Sequence, residues 1–512
     1  MNKLSFFKWI LSISLCLMLF FCTNTNKKTL PDPEIKDGIA KVSGKIPNFY
    51  PTGSKDTLSL MLIVPQPVGG DSYSKITPVN ADGFFSFEVP MQCDYAVGYI
   101  RPEKYYSNEG FNVCLTSGKE TKMEIIYEKN IQFKVTNQTD SFGLTSTDLI
   151  NINPFREKLM NESTPGITGY ARTPDEFVQQ ARISLNYKLK MIAKNDNLSE
   201  IAKNYVANKM KILTLDLRLL MYKVMMQVDY LNAGNEDLKN FNIQEPDKKY
   251  YEFLKDFNLN NPQYLYDAYY SDVAQKILSN DTLNIPPVGD IPLDQWMIET
   301  KNIISKLVGF DKGLFYDLLA VNSYARQFDN ELRPLSNKQI ENINSYFKDE
   351  KTEIAKILLK KNEEIIQLAA LKEPVVVNKT PVVPKEKVMD AIISKYKGKV
   401  AIVDFWATWC APCLDAMTKY RAIKGELKGK DVVFVYFTNH SSPQKLWEEK
   451  IKGIGGEHYY LNDEEWMYLM DKFQFNGIPS YVIFDAKGAV RHQFTGYPGT
   501  EKMQAMIEDL LH

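Results

Sequence analysis

Between residues 37 and 135, apolar and polar positions alternate in short runs: "DGIAKVSGKI", "TLSLMLIVP", "SKITPV", "GFFSFEVP", "YAVGYI" and "TKMEIIYE". These runs are rich in β-branched and aromatic residues and are bounded by Gly, Pro, Asn and Asp, a pattern that predicts short strands. Asp82-Gly83 falls between two of them and predicts a tight turn, because glycine accepts positive φ without a steric cost. From 145 to 372 the period changes to three and four residues, as in "PDEFVQQARISLNYKLKMIAK", "EIAKNYVANKMKILTLDLRLLMYKVMMQV", "LDQWMIETKNIISKLV" and "NKQIENINSYFKDEKTEIAKILLKKNEEIIQLAAL". That spacing predicts helices, with starts at Thr173-Pro174-Asp175 and at Ser199-Glu200. Residues 373–384, within "EPVVVNKTPVVPKEK", carry prolines and no helical period, and are expected to form an extended linker. From 385 to 512 strands and helices alternate. The expected fold class is therefore multidomain: a small N-terminal β-sandwich, an all-helical middle region and an α/β C-terminal domain.

The chain of 512 residues is too long for one core, which agrees with several domains. A formal net charge of −1 gives no electrostatic footprint for nucleic acid, so no nucleic-acid partner is expected. Within the helical region, the Tyr-rich "KKYYEFLKDFNLNNPQYLYDAYY" suits a binding surface or a core, and its helical spacing favours core. The Met-rich "LLMYKVMMQV" is read the same way, as packing rather than a metal site.

The N-terminus "MNKLSFFKWILSISLCLMLFFC" places Lys3 and Lys8 before a continuous apolar run from Trp9 to Phe21. This is the layout of an export signal, and its apolar core is short for a spanning helix. The run stops at Cys22 before a polar "TNTNKK", and in this it resembles a bacterial lipoprotein signal. That resemblance implies lipid attachment at Cys22 and localisation to the cell envelope, in the periplasm. Phe21 departs from the small residue usual before such a cysteine, and simple cleavage or an uncleaved anchor stay open. Residues 1–22 are read as the signal. In an oxidising envelope Cys93 and Cys114 are either a structural disulfide or two small buried hydrophobes.

The chemistry concentrates in "VDFWATWCAPC", where Cys410 and Cys413 are separated by Ala411 and Pro412. "KVAIVDFW" suits a strand buried on both faces, and "CAPCLDAMTKYRAIKGEL" suits a helix with Leu414, Met417 and Tyr420 on related faces. The two thiols thus fall at a helix N-terminus, whose free amides and dipole favour a thiolate. Zinc needs four ligands, and the chain has no second such pair; His440, His458, His492 and His512 are scattered. No metal is therefore expected.

The segment resembles the active-site stretch of thioredoxin-fold thiol-disulfide oxidoreductases, and residues 385–512 resemble their envelope-anchored TlpA-like branch. "FNGIPSYVIFD" resembles that family's cis-proline loop, and "FTGYPG" has a glycine where the family places one beside the site. The N-terminal runs resemble the small β-sandwich that precedes such domains in Bacteroidota envelope proteins. The resemblance implies roles. Cys410 is the exposed nucleophile, Cys413 the resolving thiol, and the two form a redox-active disulfide. Asp404, six residues before Cys410, is the carboxylate that takes or returns the Cys413 proton. Pro479 shapes the site, while Trp409, Ile478 and Gly496 meet the substrate. No cofactor is implied. The expected partners are disulfide-bearing envelope proteins, a membrane electron donor of the thiol-relay type, and the membrane itself through the lipid anchor. Where the cytochrome c maturation subgroup has a glutamate, this chain reads "FTNHSS". The competing class is a binding or scaffold protein whose upstream domains hold a partner and whose dithiol is secondary.

Overall fold

A computed structural model describes residues 29–47, 58–70, 72–103, 110–128, 132–235, 241–370, 374–419 and 421–511. The signal-like segment and Cys22 lie outside the described residues. By its internal packing the chain divides into two compact units, with the first formed by 1–67, 71–277 and 305–310 and the second by 68–70, 278–304 and 311–512.

The first unit opens with strands β1 (Ile35–Lys45), β2 (Ser59–Pro65), β3 (Ser72–Pro78), β4 (Phe84–Cys93), β5 (Tyr95–Pro102), β6 (Phe111–Thr116), β7 (Glu120–Glu128) and β8 (Gln132–Gln138). They form two four-stranded sheets, ordered β4-β1-β7-β8 and β3-β2-β5-β6. Gly83 holds a φ of 83° between β3 and β4, and a Cβ there would meet the Ile46 carbonyl oxygen at 2.3 Å, so the turn requires glycine. Cys93 and Cys114 are separate buried thiols, and burial pushes both well above the ordinary thiol range.

Helices α1 (Ser146–Asn161), α2 (Pro174–Ala193), α3 (Glu200–Thr214), α4 (Tyr222–Asn232) and α5 (Tyr269–Leu278) follow. The Thr173 and Ser199 side chains accept from the Glu176 and Ala202 amides, so both expected helix starts are capped. One core joins sandwich and helices, from Val42, Phe87 and Val113 to Ile152, Val206 and Tyr266. The Tyr-rich stretch is core: Tyr250, Tyr264 and Tyr270 are buried, and their hydroxyls donate to the carbonyls of Leu219, Phe257 and Leu259.

Next come α6 (Leu293–Val308), α7 (Leu314–Glu331), α8 (Asn337–Tyr346), α9 (Thr352–Ala370), β9 (Val375–Asn378) and α10 (Lys385–Ile393). The helical region expected as one domain is thus shared between the two units. The linker reading of 373–384 is corrected for Val375–Asn378: these residues run parallel to a later strand and cap the sheet edge. The β-branched "VVVN" suits an edge strand, and Asn378 Nδ2 donates to Glu457 Oε2 at 2.7 Å.

The chain ends with β10 (Val400–Phe405), α11 (Ala411–Lys419), α12 (Arg421–Glu426), β11 (Val432–Thr438), α13 (Gln444–Ile454), β12 (Gly456–Tyr460), α14 (Asp463–Lys472), β13 (Ser480–Phe484), β14 (Val490–Thr495) and α15 (Thr500–Glu508). Its six-stranded sheet has the order β14-β13-β10-β11-β12-β9. Strands β10, β11, β12 and β9 are parallel, while β13 is antiparallel to both its neighbours. All six residues of β10 are buried because both faces are covered. Met417, Ile423, Trp447, Ile451 and Ile507 cover the face of Ile402 and Trp406, and Val388, Ile392 and Leu469 cover that of Val403 and Phe405.

Candidate active site

Strand β10 hands the chain to α11 through Trp406–Cys410, and this loop is held on both sides. Trp406 N donates to Phe437 O at 3.0 Å, which extends the β10–β11 pairing, and Cys410 N donates to Ala407 O at 3.0 Å. Between them, Thr408 N donates to Ser442 Oγ at 3.0 Å. Ser442 is fully buried; its hydroxyl also shares a 2.7 Å hydrogen bond with Thr438 Oγ1.

Cys410 and Cys413 are joined as a disulfide with their Cα atoms 5.3 Å apart. The Cys413 amide donates to Cys410 Sγ at 3.2 Å and to Cys410 O at 3.0 Å, and the Leu414 amide donates to Cys410 O at 3.2 Å. One first-turn amide of α11, that of Cys413, is therefore directed at the first cysteine's sulfur, where it and the helix dipole stabilise negative charge. Exposure corrects one expectation. Cys410 is only 3% exposed and Cys413 0%, so the disulfide closes under the surface and Trp409, 52% exposed, forms its rim.

Asp404 is 1% exposed. It pairs in register with Tyr436 on β11 and Tyr481 on β13. Its neighbours of like parity, Ile402 and Trp406, belong with Tyr436, Tyr481 and both cysteines to one core cluster. The carboxyl therefore lies on the dithiol face of the sheet, between two tyrosine-bearing strands. Burial, with the nearby Asp404 charge second, holds the Tyr481 phenol well above its ordinary range, so it stays protonated. Lys424, buried, reaches Tyr436 Oη at 3.2 Å and Ile454 O at 3.0 Å.

The Ile478-Pro479 bond is cis, and Ile478 packs against the cluster that contains both cysteines. Gly496 N donates to Pro479 O at 2.7 Å, which ties the two loops together. Gly496 has a φ of 85° and open space where a Cβ would be, so backbone conformation is what calls for glycine there. The structure thus gathers Cys410, Cys413, Asp404 and Ile478 around one core, with the Pro479–Gly496 pair at its edge.

The sequence reading did not single out Tyr436, Tyr481, Lys424, Ser442 or Trp447. Strand register brings the two tyrosines beside Asp404, and no local spacing encodes that register. His458 is also buried, with its ring stacked on Tyr436 at 4.9 Å and Nε2 3.2 Å from Gly455 O. Burial, reinforced by the Lys424 charge, lowers its pKa from 6.5 to about 3, against an accepting carbonyl that opposes the shift. The unfolded chain therefore binds the proton at pH values where the folded chain does not. The stability that neutral His458 contributes is full above about 6.5 and falls as pH drops from there towards 3, by at most about 1.4 kcal/mol per pH unit. A His458→Phe variant is expected to lose less stability between pH 6.5 and 4 than the wild type; equal losses in denaturant titrations would contradict the assignment.

Residues 388–511 match the family model described as a thioredoxin-like domain. The C-terminal part of the chain is therefore a thioredoxin-like domain. The thioredoxin-like protein YneN of Bacillus subtilis is 27% identical over 118 residues, covering 22% of this chain and 65% of that protein. The thiol-disulfide oxidoreductase ResA of Geobacillus kaustophilus is 25% identical over 118 residues, covering 23% of this chain and 67% of that protein. A solved thiol:disulfide interchange protein of Chlorobium tepidum is 24% identical, with a TM-score of 0.21, over 23% of this chain and 84% of that one.

Proposed function

We propose that the protein reduces or reshuffles protein disulfides in the cell envelope through Cys410 and Cys413. The observation that carries this reading is the Cys410–Cys413 disulfide at the first turn of α11, with the Cys413 amide directed at Cys410 Sγ. In the reduced protein the Cys410 thiolate attacks one sulfur of a substrate disulfide. A mixed disulfide forms, and the other substrate sulfur leaves as a thiolate that takes up a proton. Asp404 accepts the proton of Cys413, whose thiolate then attacks Cys410 Sγ. The second substrate sulfur departs as a thiol and the Cys410–Cys413 disulfide closes. Two electrons pass to the substrate, so a donor dithiol must restore the pair, and outside the cytoplasm that donor is a membrane thiol relay. Trp409 and Ile478 border the substrate, with Pro479 and Gly496 shaping the floor.

The signal-like N-terminus, with Cys22 as the lipid-attachment site, supports envelope anchoring. Among the described residues no helix is long and apolar enough to cross a membrane. The upstream sandwich and helices bind or orient the partner protein and raise its local concentration at the dithiol.

The test is alkylation of the reduced full chain. Cys410 is expected to react at least about tenfold faster than Cys413 near neutral pH, because only the first sulfur receives the helix amide. Equal and slow modification of both would reject the proposal.

A further inference from the structure

Helix α13 has two working faces. Trp447 and Ile451 belong to the core cluster that contains Cys410 and Cys413. The opposite face, Glu449, Lys450 and Gly453, meets α7 within the same compact unit. Glu449 Oε2 accepts from Arg326 Nη2 at 2.9 Å and from Asn330 Nδ2 at 3.3 Å, and Lys450 Nζ donates to Asn330 Oδ1 at 3.1 Å. The approach is backbone to backbone: a Cβ on Gly453 would lie 2.9 Å from Asn330 O and 3.2 Å from Leu332 N. Neither atom is the yielding end of a flexible side chain, so the contact admits only glycine.

The N-terminal end of α13 leads straight to the redox loop. Ser442 precedes the Pro443 cap, and its Oγ holds Thr408, two residues before Cys410. Tyr460 Oη donates to Ser442 O at 2.5 Å, and the Tyr460 ring lies 5.1 Å from that of Trp447. Ser442 thus stands between the redox loop and the N-terminal end of α13, whose other face rests on α7.

We propose that α7 is a positioning element of the redox site. By seating α13 through Gly453 and Glu449 it fixes the Ser442–Thr408 hydrogen bond, and so the loop that presents Cys410. The dithiol equilibrium then depends on a helix outside the thioredoxin-like domain. This rests on the reading of Cys410 and Cys413 as a redox couple.

The test uses the full chain and two readouts: the dithiol–disulfide equilibrium constant against glutathione, and the pH profile of Cys410 alkylation. Gly453→Val, which a helix tolerates but the α7 contact does not, is expected to shift the equilibrium constant by about threefold or more and to move the alkylation midpoint. Arg326→Ala, which removes one donor to Glu449 without a clash, should shift both in the same direction and decides the matter if Gly453→Val does not fold. Ser442→Ala should reproduce the shift, and combining it with Arg326→Ala should add less than the sum. Glu448→Gln, on the exposed side of the same helix, should change neither readout. Folded Arg326→Ala and Gly453→Val proteins with the wild-type constant and profile would overturn the proposal alone. A wild-type chain with no reversible couple would instead overturn the functional reading, and this proposal with it.

Discussion

Cys410→Ser in the full chain is expected to remove disulfide reductase activity, with the insulin-reduction rate falling by about a thousandfold or more, to background. The size of the effect follows from geometry. Cys413 is fully buried, and its amide is directed at Cys410 Sγ rather than at its own sulfur, so it is a poor substitute nucleophile for an external disulfide. Serine keeps the shape but cannot form a thiolate equivalent at physiological pH. Residual activity above about a tenth of the wild-type rate would assign the nucleophile elsewhere. Cys93 and Cys114 cannot replace it, since burial holds both thiols protonated.

Asp404→Asn is expected to separate the two chemical steps. The first attack uses a sulfur stabilised by the Cys413 amide and should proceed at close to the wild-type rate. The second needs Cys413 to lose a proton in a buried site, and without the carboxylate it should slow by about a hundredfold at pH 7. The mixed disulfide then accumulates and can be trapped and weighed by mass spectrometry. The gap should narrow as pH rises, because hydroxide increasingly replaces the missing carboxylate as the acceptor of the Cys413 proton. Wild-type rates for both steps between about pH 6 and 9 would make Asp404 a structural group.

The parts of this site that depend on short spacing were legible in the chain. The strand "KVAIVDFW", the adjoining helix, the Cys410–Cys413 pair, Asp404 and the Pro479 loop all sit in compact motifs whose chemistry follows from their order. The parts that depend on pairing across the sheet were not. Tyr436 and Tyr481 reach Asp404 only through the β10–β11 and β10–β13 registers, and Ser442 meets Thr408 only because parallel strands end side by side. A doubly buried strand hides this further, because it lacks the polar alternation that would mark one face. The same cause conceals β6, whose six residues are all buried. Helix α1 escapes the periodicity because it carries Pro154 in its interior, a residue that ordinarily stops a helix. The run from 337 carries helical spacing throughout but is divided at Asp349, which adopts a left-handed φ of 58° between α8 and α9. Val375–Asn378 reads as linker because an edge strand of four residues between prolines has too little pattern to declare itself; the open edge of β12 makes it a strand.

Cys410 and Cys413 are expected to form a reversible two-electron couple. Its most direct test equilibrates the full chain in glutathione buffers of graded potential, quenches with an alkylating agent and counts free thiols by mass. One two-electron transition confined to Cys410 and Cys413 is expected, with a midpoint between about −270 and −120 mV, and it should be lost in Cys410→Ser. A pair that stays fully reduced or fully oxidised across that range, or a transition that maps to Cys93 and Cys114, would contradict it.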